Sequence, residues 1–437
     1  MKAWASILVG CAWAAGAAAG ELIASPEPGW PQWRGPRRDG VSGETGLLRE
    51  WPEGGPREVW SVTGLGRGWS SPVIAGGRIF ITGDTNDALV VRAFDLQGRP
   101  LWQATNGAAW TRSWPGARAA CAVGGDRVFH MNAHGRVAAF DAATGREAWA
   151  VNVLERFEGE NITWALSECL LVDGPRVIVT PGGAKALMAA LEVRTGETVW
   201  QSEPLRLGAS PSEAHARLAE PAGETDGAGY ASPILFRLGG RRHIVNCSSR
   251  HVAGVDADTG RLLWTRPMPT RYRVLAATPV FWRDSVFVTG PDGEGGRLFR
   301  IADGEGGVRV EAAWTSPMDT GQHGVTAVGE RMYGPFYRQS DRWACVDMAS
   351  GAVLYDTRDM STGASIHADG RLYCVTQSGD VRLVEPGPSG FRPCGRFRLA
   401  PSSGKPVRDC WAHPVLLDGR LYVRHHDILR CLDVRAP

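Results

Sequence analysis

Apolar runs in this chain are short. Most alternate with a period of two and are broken by Gly, Asp and Pro, without the 3.6-residue period of amphipathic helices. One pattern recurs: an acidic residue ends a run, a turn carrying Gly follows, and an aromatic closes the next run. It reads Asp95-Leu-Gln-Gly98-Arg-Pro-Leu-Trp102, then Asp141-Ala-Ala-Thr144-Gly145-Arg-Glu-Ala-Trp149. It returns as Glu192-Val-Arg-Thr195-Gly196-Glu-Thr-Val-Trp200 and Asp256-Ala-Asp-Thr259-Gly260-Arg-Leu-Leu-Trp264, and more loosely as Asp347 to Tyr355. The chemistry is that of a hairpin: the carboxylate accepts turn amides, and Gly takes the positive φ of a tight turn. Between these copies runs a second hairpin, as in Pro72-Val-Ile-Ala-Gly-Gly77-Arg-Ile-Phe80 and Pro414-Val-Leu-Leu-Asp-Gly-Arg-Leu-Tyr422, with eight copies in all.

Two alternating hairpins make a four-stranded unit. Eight such units at a spacing of about 40 to 50 residues predict an all-β, eight-bladed β-propeller of four-stranded antiparallel blades. The blades are expected near 70–103, 119–150, 167–201, 231–265, 277–315, 324–356, 364–399 and 412–434. The last unit has only three strands, while Arg57-Glu-Val-Trp60-Ser-Val stands alone before the first. Residues 57–62 are therefore expected to complete the last blade and close the ring, which spans 57–434, with an N-terminal arm at 25–56 lying across it. Trp60, Trp102, Trp149, Trp200 and Trp264 are expected to dock between blades.

Gly 56 and Pro 28 among 437 residues suit many tight turns, and 43% hydrophobic with 22% charged residues excludes global disorder. Lys+Arg 48 against Asp+Glu 46 leaves +2, which argues against a nucleic-acid binder and predicts recognition by stacking and neutral hydrogen bonds. Residues 1–20 have the outline of an export leader: Lys2, an apolar stretch, then small residues. Two other readings stay open there, a membrane anchor and a lipobox at Leu8-Val-Gly-Cys11 with Cys11 acylated. Export to the periplasm or beyond is the expectation, as a monomer, with membrane contact only through Cys11. The remaining Cys form no C-x-x-C and no adjacent pair, and most sit in apolar runs as small buried hydrophobes.

The repeats, with Asp-Ala-x-Thr-Gly-x-x-x-Trp at 141–149 and 256–264, resemble those of the pyrroloquinoline-quinone-like β-propeller family. The lead segment Trp30-Pro-Gln-Trp33-Arg-Gly-Pro36-Arg-Arg-Asp39-Gly-Val-Ser42 is similar to the opening of a secreted bacterial branch. The resemblance covers about 30–434 and implies that each repeat Trp docks on the neighbouring blade. It leaves two functions open. One is a non-enzymatic binding or scaffold propeller of the cell envelope, like the lipoprotein propeller of the outer-membrane assembly machine. The other is a quinone-dependent alcohol or sugar dehydrogenase, which brings pyrroloquinoline quinone and calcium. Against the second stand the missing adjacent Cys pair and the missing set of calcium-binding Glu, Asn and Asp. No cofactor, metal or catalytic residue is assigned.

Loops entering the innermost strands of a propeller crowd one mouth of its channel. Here they carry Trp69, Arg118, Trp164, Glu168, Tyr230, His323, Trp411 and His413. Stacking faces beside hydrogen-bonding groups predict a site for a protein or a small neutral or polar ligand. The alternative is that the aromatics plug the channel. Residues 212–218, in the longest inter-blade insertion, are expected to form a short helix, a lid at the rim.

Overall fold

The structure is a computed structural model that describes residues 20–207, 224–399 and 408–437. The leader, Cys11 and the 212–218 segment lie outside the described residues, Gly20 excepted.

Eight antiparallel sheets form the ring: 73–108, 122–152, 171–201, 234–267, 280–316, 326–357, 363–398, and 415–433 joined by Arg57–Val62. Within each, consecutive strands pair outward from the channel. Arg57–Val62 pairs with Ile428–Asp433, Arg57 opposite Asp433 and Val62 opposite Leu429, so the closing strand is the one expected from sequence. The fourth sheet gains a fifth strand at its inner edge, where Glu21–Leu22 pairs with Ile234–Leu238. The one helix described is the single turn Val153–Phe157, capped by the Asn152 side chain.

Sheets stack face to face, and their apolar residues fill the spaces between neighbours. Phe80, Phe129, Phe140, Phe236 and Phe287 are fully buried there. All eight described Cys are free and buried.

The repeat pattern is a device that spans two blades. Each Trp donates its indole N–H to the carbonyl just after the acidic residue of the next copy. The bonds are Trp60 to Leu96 (3.0 Å), Trp102 to Ala142 (3.1 Å), Trp149 to Val193 (2.9 Å) and Trp200 to Ala257 (3.1 Å). The same ring lies flat against the turn Gly of that copy. A methyl at Gly145 would stand 2.5 Å from Trp102, and one at Gly196 2.6 Å from Trp149. Trp314, which the sequence pattern missed, does the same to Met348 (3.0 Å), and Tyr355 substitutes a hydroxyl bond to Gly387 (2.7 Å).

The docking differs in detail at three positions. Trp264 is buried, but the fifth blade lacks the acidic-x-x-Thr-Gly turn, so its indole N–H finds no carbonyl. Trp60 and Trp102 are half-buried.

Candidate functional site

Eight innermost strands leave backbone groups facing the channel, and unpaired buried groups of this kind are costly. The arm segment 30–42 satisfies them and touches every blade. Trp30 exchanges backbone bonds with Ile74 of the first blade (2.7 and 2.9 Å), and Pro31 accepts from Val123 of the second (2.8 Å). Arg38 donates to Cys169 and Leu170 of the third (2.7 and 3.0 Å) and Pro233 of the fourth (2.5 Å). Trp33 donates its indole N–H to Thr278 of the fifth (2.9 Å), and Arg34 reaches Val325 of the sixth (2.6 Å). Gly40 and Ser42 bracket His367 of the seventh, each at 2.8 Å, and Arg34 meets His413 of the eighth at 3.5 Å. Arginine suits this work because one guanidinium supplies five donors. Burial lowers both Arg34 and Arg38 to about 10, so each keeps its charge at neutral pH.

The arm therefore fills the channel, and what remains above it is a one-ended cavity of about 420 Å³. Trp33 is its floor, resting on His413 with ring centroids 4.3 Å apart. Trp69 and Trp411 pack at 4.8 Å, Trp114 and Trp411 at 5.2 Å, and Trp164 and Tyr230 at 6.1 Å, giving an aromatic wall. Trp114, Tyr272 and Tyr337 stand at the rim, 47%, 51% and 40% exposed. Buried Asp319 fixes the two loops at one side, accepting backbone N–H bonds from Gly293 (2.8 Å), Tyr337 (3.1 Å) and Arg338 (3.1 Å).

Arg118, Ser167 and Ser232 of the wall are already engaged, whereas the buried indole N–H groups of Trp69 and Trp411 have no partner. Arg118 lies over the Trp69 ring at 5.4 Å and donates to the carbonyls of Trp164 (2.9 Å), Gly116 (2.6 Å) and Trp114 (2.6 Å). Burial lowers it to about 10. The Ser167 hydroxyl donates to the Tyr230 carbonyl (3.0 Å), and that of Ser232 accepts from the Cys169 amide (2.9 Å).

Of the residues singled out from sequence, Trp69, Arg118, Trp164, Tyr230 and Trp411 line the cavity. Glu168, His323 and His413 do not. Ser167 and Cys169, in the loop before strand Leu171–Asp173, line the wall, and Glu168 between them is buried away from it. There Glu168 accepts from the Thr180 amide (2.9 Å) and hydroxyl (2.7 Å), and burial raises it to about 7. His323 and His413 lie buried beneath the floor. Desolvation brings His323 to about 4 and His413 well below its usual value, so both are neutral packing groups. Trp33, Trp114, Tyr272 and Tyr337 complete the lining. Trp33 was visible only as part of the lead motif. Tyr337 lies inside a blade hairpin, where the repeat gives no signal.

A quinone and its calcium need converging oxygen ligands and cations for the quinone carboxylates. Among the described residues no group of three His, Cys, Asp or Glu could hold a metal. The single carboxylate of the wall, Asp292, faces Arg338 at 3.4 Å, and Arg118 is spent on carbonyls. The residues present do not fit that pair.

Residues 87–354, more than half of the chain, match a family described as outer membrane protein assembly factor BamB. No curated protein matches. Among solved structures, BamB from Moraxella catarrhalis is similar at 15% identity and TM-score 0.58, over 87% of this chain and 98% of that one. The quinohemoprotein alcohol dehydrogenase of Comamonas testosteroni is similar at 14% identity and TM-score 0.65, over 94% and 81%. The computationally designed Ika8 protein reaches TM-score 0.56 at 12% identity, over 86% and 100%. At these identities the likeness speaks to the fold. Among the described residues, no helix is long and apolar enough to cross a membrane.

Proposed function

This chain belongs to the family described as outer membrane protein assembly factor BamB, and from that premise we propose that it is a non-catalytic binding module of the cell envelope. Its partner is a protein segment seated in the aromatic cavity above the sealed channel. The observation that carries this reading is the cavity itself: a floor and walls of Trp and Tyr, with the neighbouring Arg118 and Ser167 already hydrogen-bonded to backbone carbonyls. Such a surface offers area for burial and stacking. The exposed ring of Trp114, Tyr272 and Tyr337 suits a macromolecular partner that lies across the rim. The family description supports an envelope setting and a protein partner. Export by the leader and acylation at Cys11 remain proposals of the same kind.

The test sets this against the dehydrogenase reading. Trp69→Ala with Trp411→Ala should abolish partner binding while the circular dichroism of the ring stays unchanged. Purified protein supplied with pyrroloquinoline quinone and calcium should show no dye-linked alcohol or sugar oxidation. Turnover in that assay overturns the proposal.

A further inference from the structure

Resting on the binding reading, we infer that the segment taken at the mouth is an acidic peptide carrying an aromatic side chain, its ring inside the cavity and its carboxylates on an arginine rim. The ring follows from the walls. Arg118 and Ser167 have their bonds already, and the unpartnered donors of the wall are the indole N–H groups of Trp69 and Trp411, themselves part of the aromatic surface. What the cavity leaves open is aromatic surface, in a volume that holds a side-chain ring with backbone to spare.

The acidity follows from what surrounds the mouth. Arg67, Arg112, Arg271 and Arg273 are exposed and flank the lining residues Trp69, Trp114 and Tyr272 in the chain. None of the four pairs with a described carboxylate. Arg112 lies over the Trp110 ring at 5.7 Å and Arg271 over Tyr272 at 5.2 Å, so their contacts are to rings rather than counter-ions. Nearby acids do little to offset them. Asp292 is engaged by Arg338, and the half-buried Asp84 faces Arg118 and Arg424 rather than the rim. Half-buried Asp409 and Glu294 on neighbouring loops leave a positive excess. The near-neutral charge of the whole chain averages this local rim away.

Position selects the chemical class. The cations stand outside the cavity, so the ligand's anionic groups must sit several ångströms from its ring. Consecutive residues of a peptide give that separation. A planar aromatic carboxylate carries its charge on the ring and would bury it among indoles.

The experiment uses the full chain and three capped peptides of equal length: Phe flanked by Glu, Phe flanked by Lys, and Ala flanked by Glu. Isothermal titration should show the Glu-flanked Phe peptide binding at least about tenfold tighter than the Lys-flanked one, weakening between about 0.05 and 0.3 M salt. The Ala peptide should not bind. Changing Arg67→Gln, Arg112→Gln, Arg271→Gln and Arg273→Gln together should bring the Glu-flanked Phe peptide down to the affinity of the Lys-flanked one and remove the salt dependence. Equal binding of Glu- and Lys-flanked peptides overturns the inference and leaves the binding reading standing, as does the absence of binding by all three. Equal binding of the Glu-flanked Phe peptide to the chain and to its Trp69→Ala/Trp411→Ala variant places the site elsewhere and overturns both.

Discussion

Replacing Gly145 by Ala tests the docking of one blade on the next. Gly145 sits at φ 74, a conformation that costs an L-residue roughly 1–2 kcal/mol. The new methyl would also stand 2.5 Å from the Trp102 ring, closer than van der Waals contact allows. Relieving such a clash typically costs about 1–3 kcal/mol, here by swinging the half-buried indole outward and losing its 3.1 Å bond to the Ala142 carbonyl. The total is about 2–5 kcal/mol. Gly370 supplies the control: its φ is 75, and a methyl there meets nothing within 4 Å. Gly370→Ala should cost only the conformational part, roughly 1–2 kcal/mol. Urea unfolding followed by tryptophan fluorescence and circular dichroism measures both. In a Trp102→Ala background, the added cost of Gly145→Ala should fall to that of Gly370→Ala. Equal costs for Gly145→Ala and Gly370→Ala with Trp102 present would refute the docking role.

Three further outcomes are expected. Arg38→Ala strips three carbonyls of their buried donor and should cost about 3–5 kcal/mol in urea unfolding, where a surface arginine would cost almost nothing. Truncated chains beginning at Pro56 and at Gly64 both lose the arm, but only the second loses the closing strand, so it should melt lower and aggregate through an open edge; equal melting contradicts the closure. Burial raises Glu168 from 4.5 to about 7, so between these values the folded protein keeps a proton that the unfolded chain has released. Its contribution is therefore full below about pH 4.5 and is lost as pH rises toward 7, by about 3 kcal/mol; Glu168→Gln should flatten that slope, and an unchanged profile refutes it.

The ring was legible because its signal is local and repeated. An acidic residue, a turn Gly and a Trp recur at fixed spacing, and Arg57–Val62 was left without partners in sequence. The site was legible only in part, since it depends on which way each side chain turns and on a segment far away in the chain. Trp69, Trp164 and Trp411 could be found as aromatics at strand entrances. Glu168 occupies the same kind of position, yet it lies buried behind the wall while its neighbours Ser167 and Cys169 line it. Trp33 reaches the floor only because Arg34 and Arg38 anchor the arm to strands more than a hundred residues away. No repeat carries that information.

The most direct measurement replaces Trp114 with the photoreactive p-benzoylphenylalanine in cells and compares it with the same replacement at Leu101. Both positions are 47% exposed, Trp114 at the mouth and Leu101 on the outer circumference. A binding site at the mouth predicts a protein adduct from position 114 that disappears with Trp69→Ala/Trp411→Ala, and none from position 101. An adduct only from position 101, or one at 114 that survives the double substitution, would contradict it.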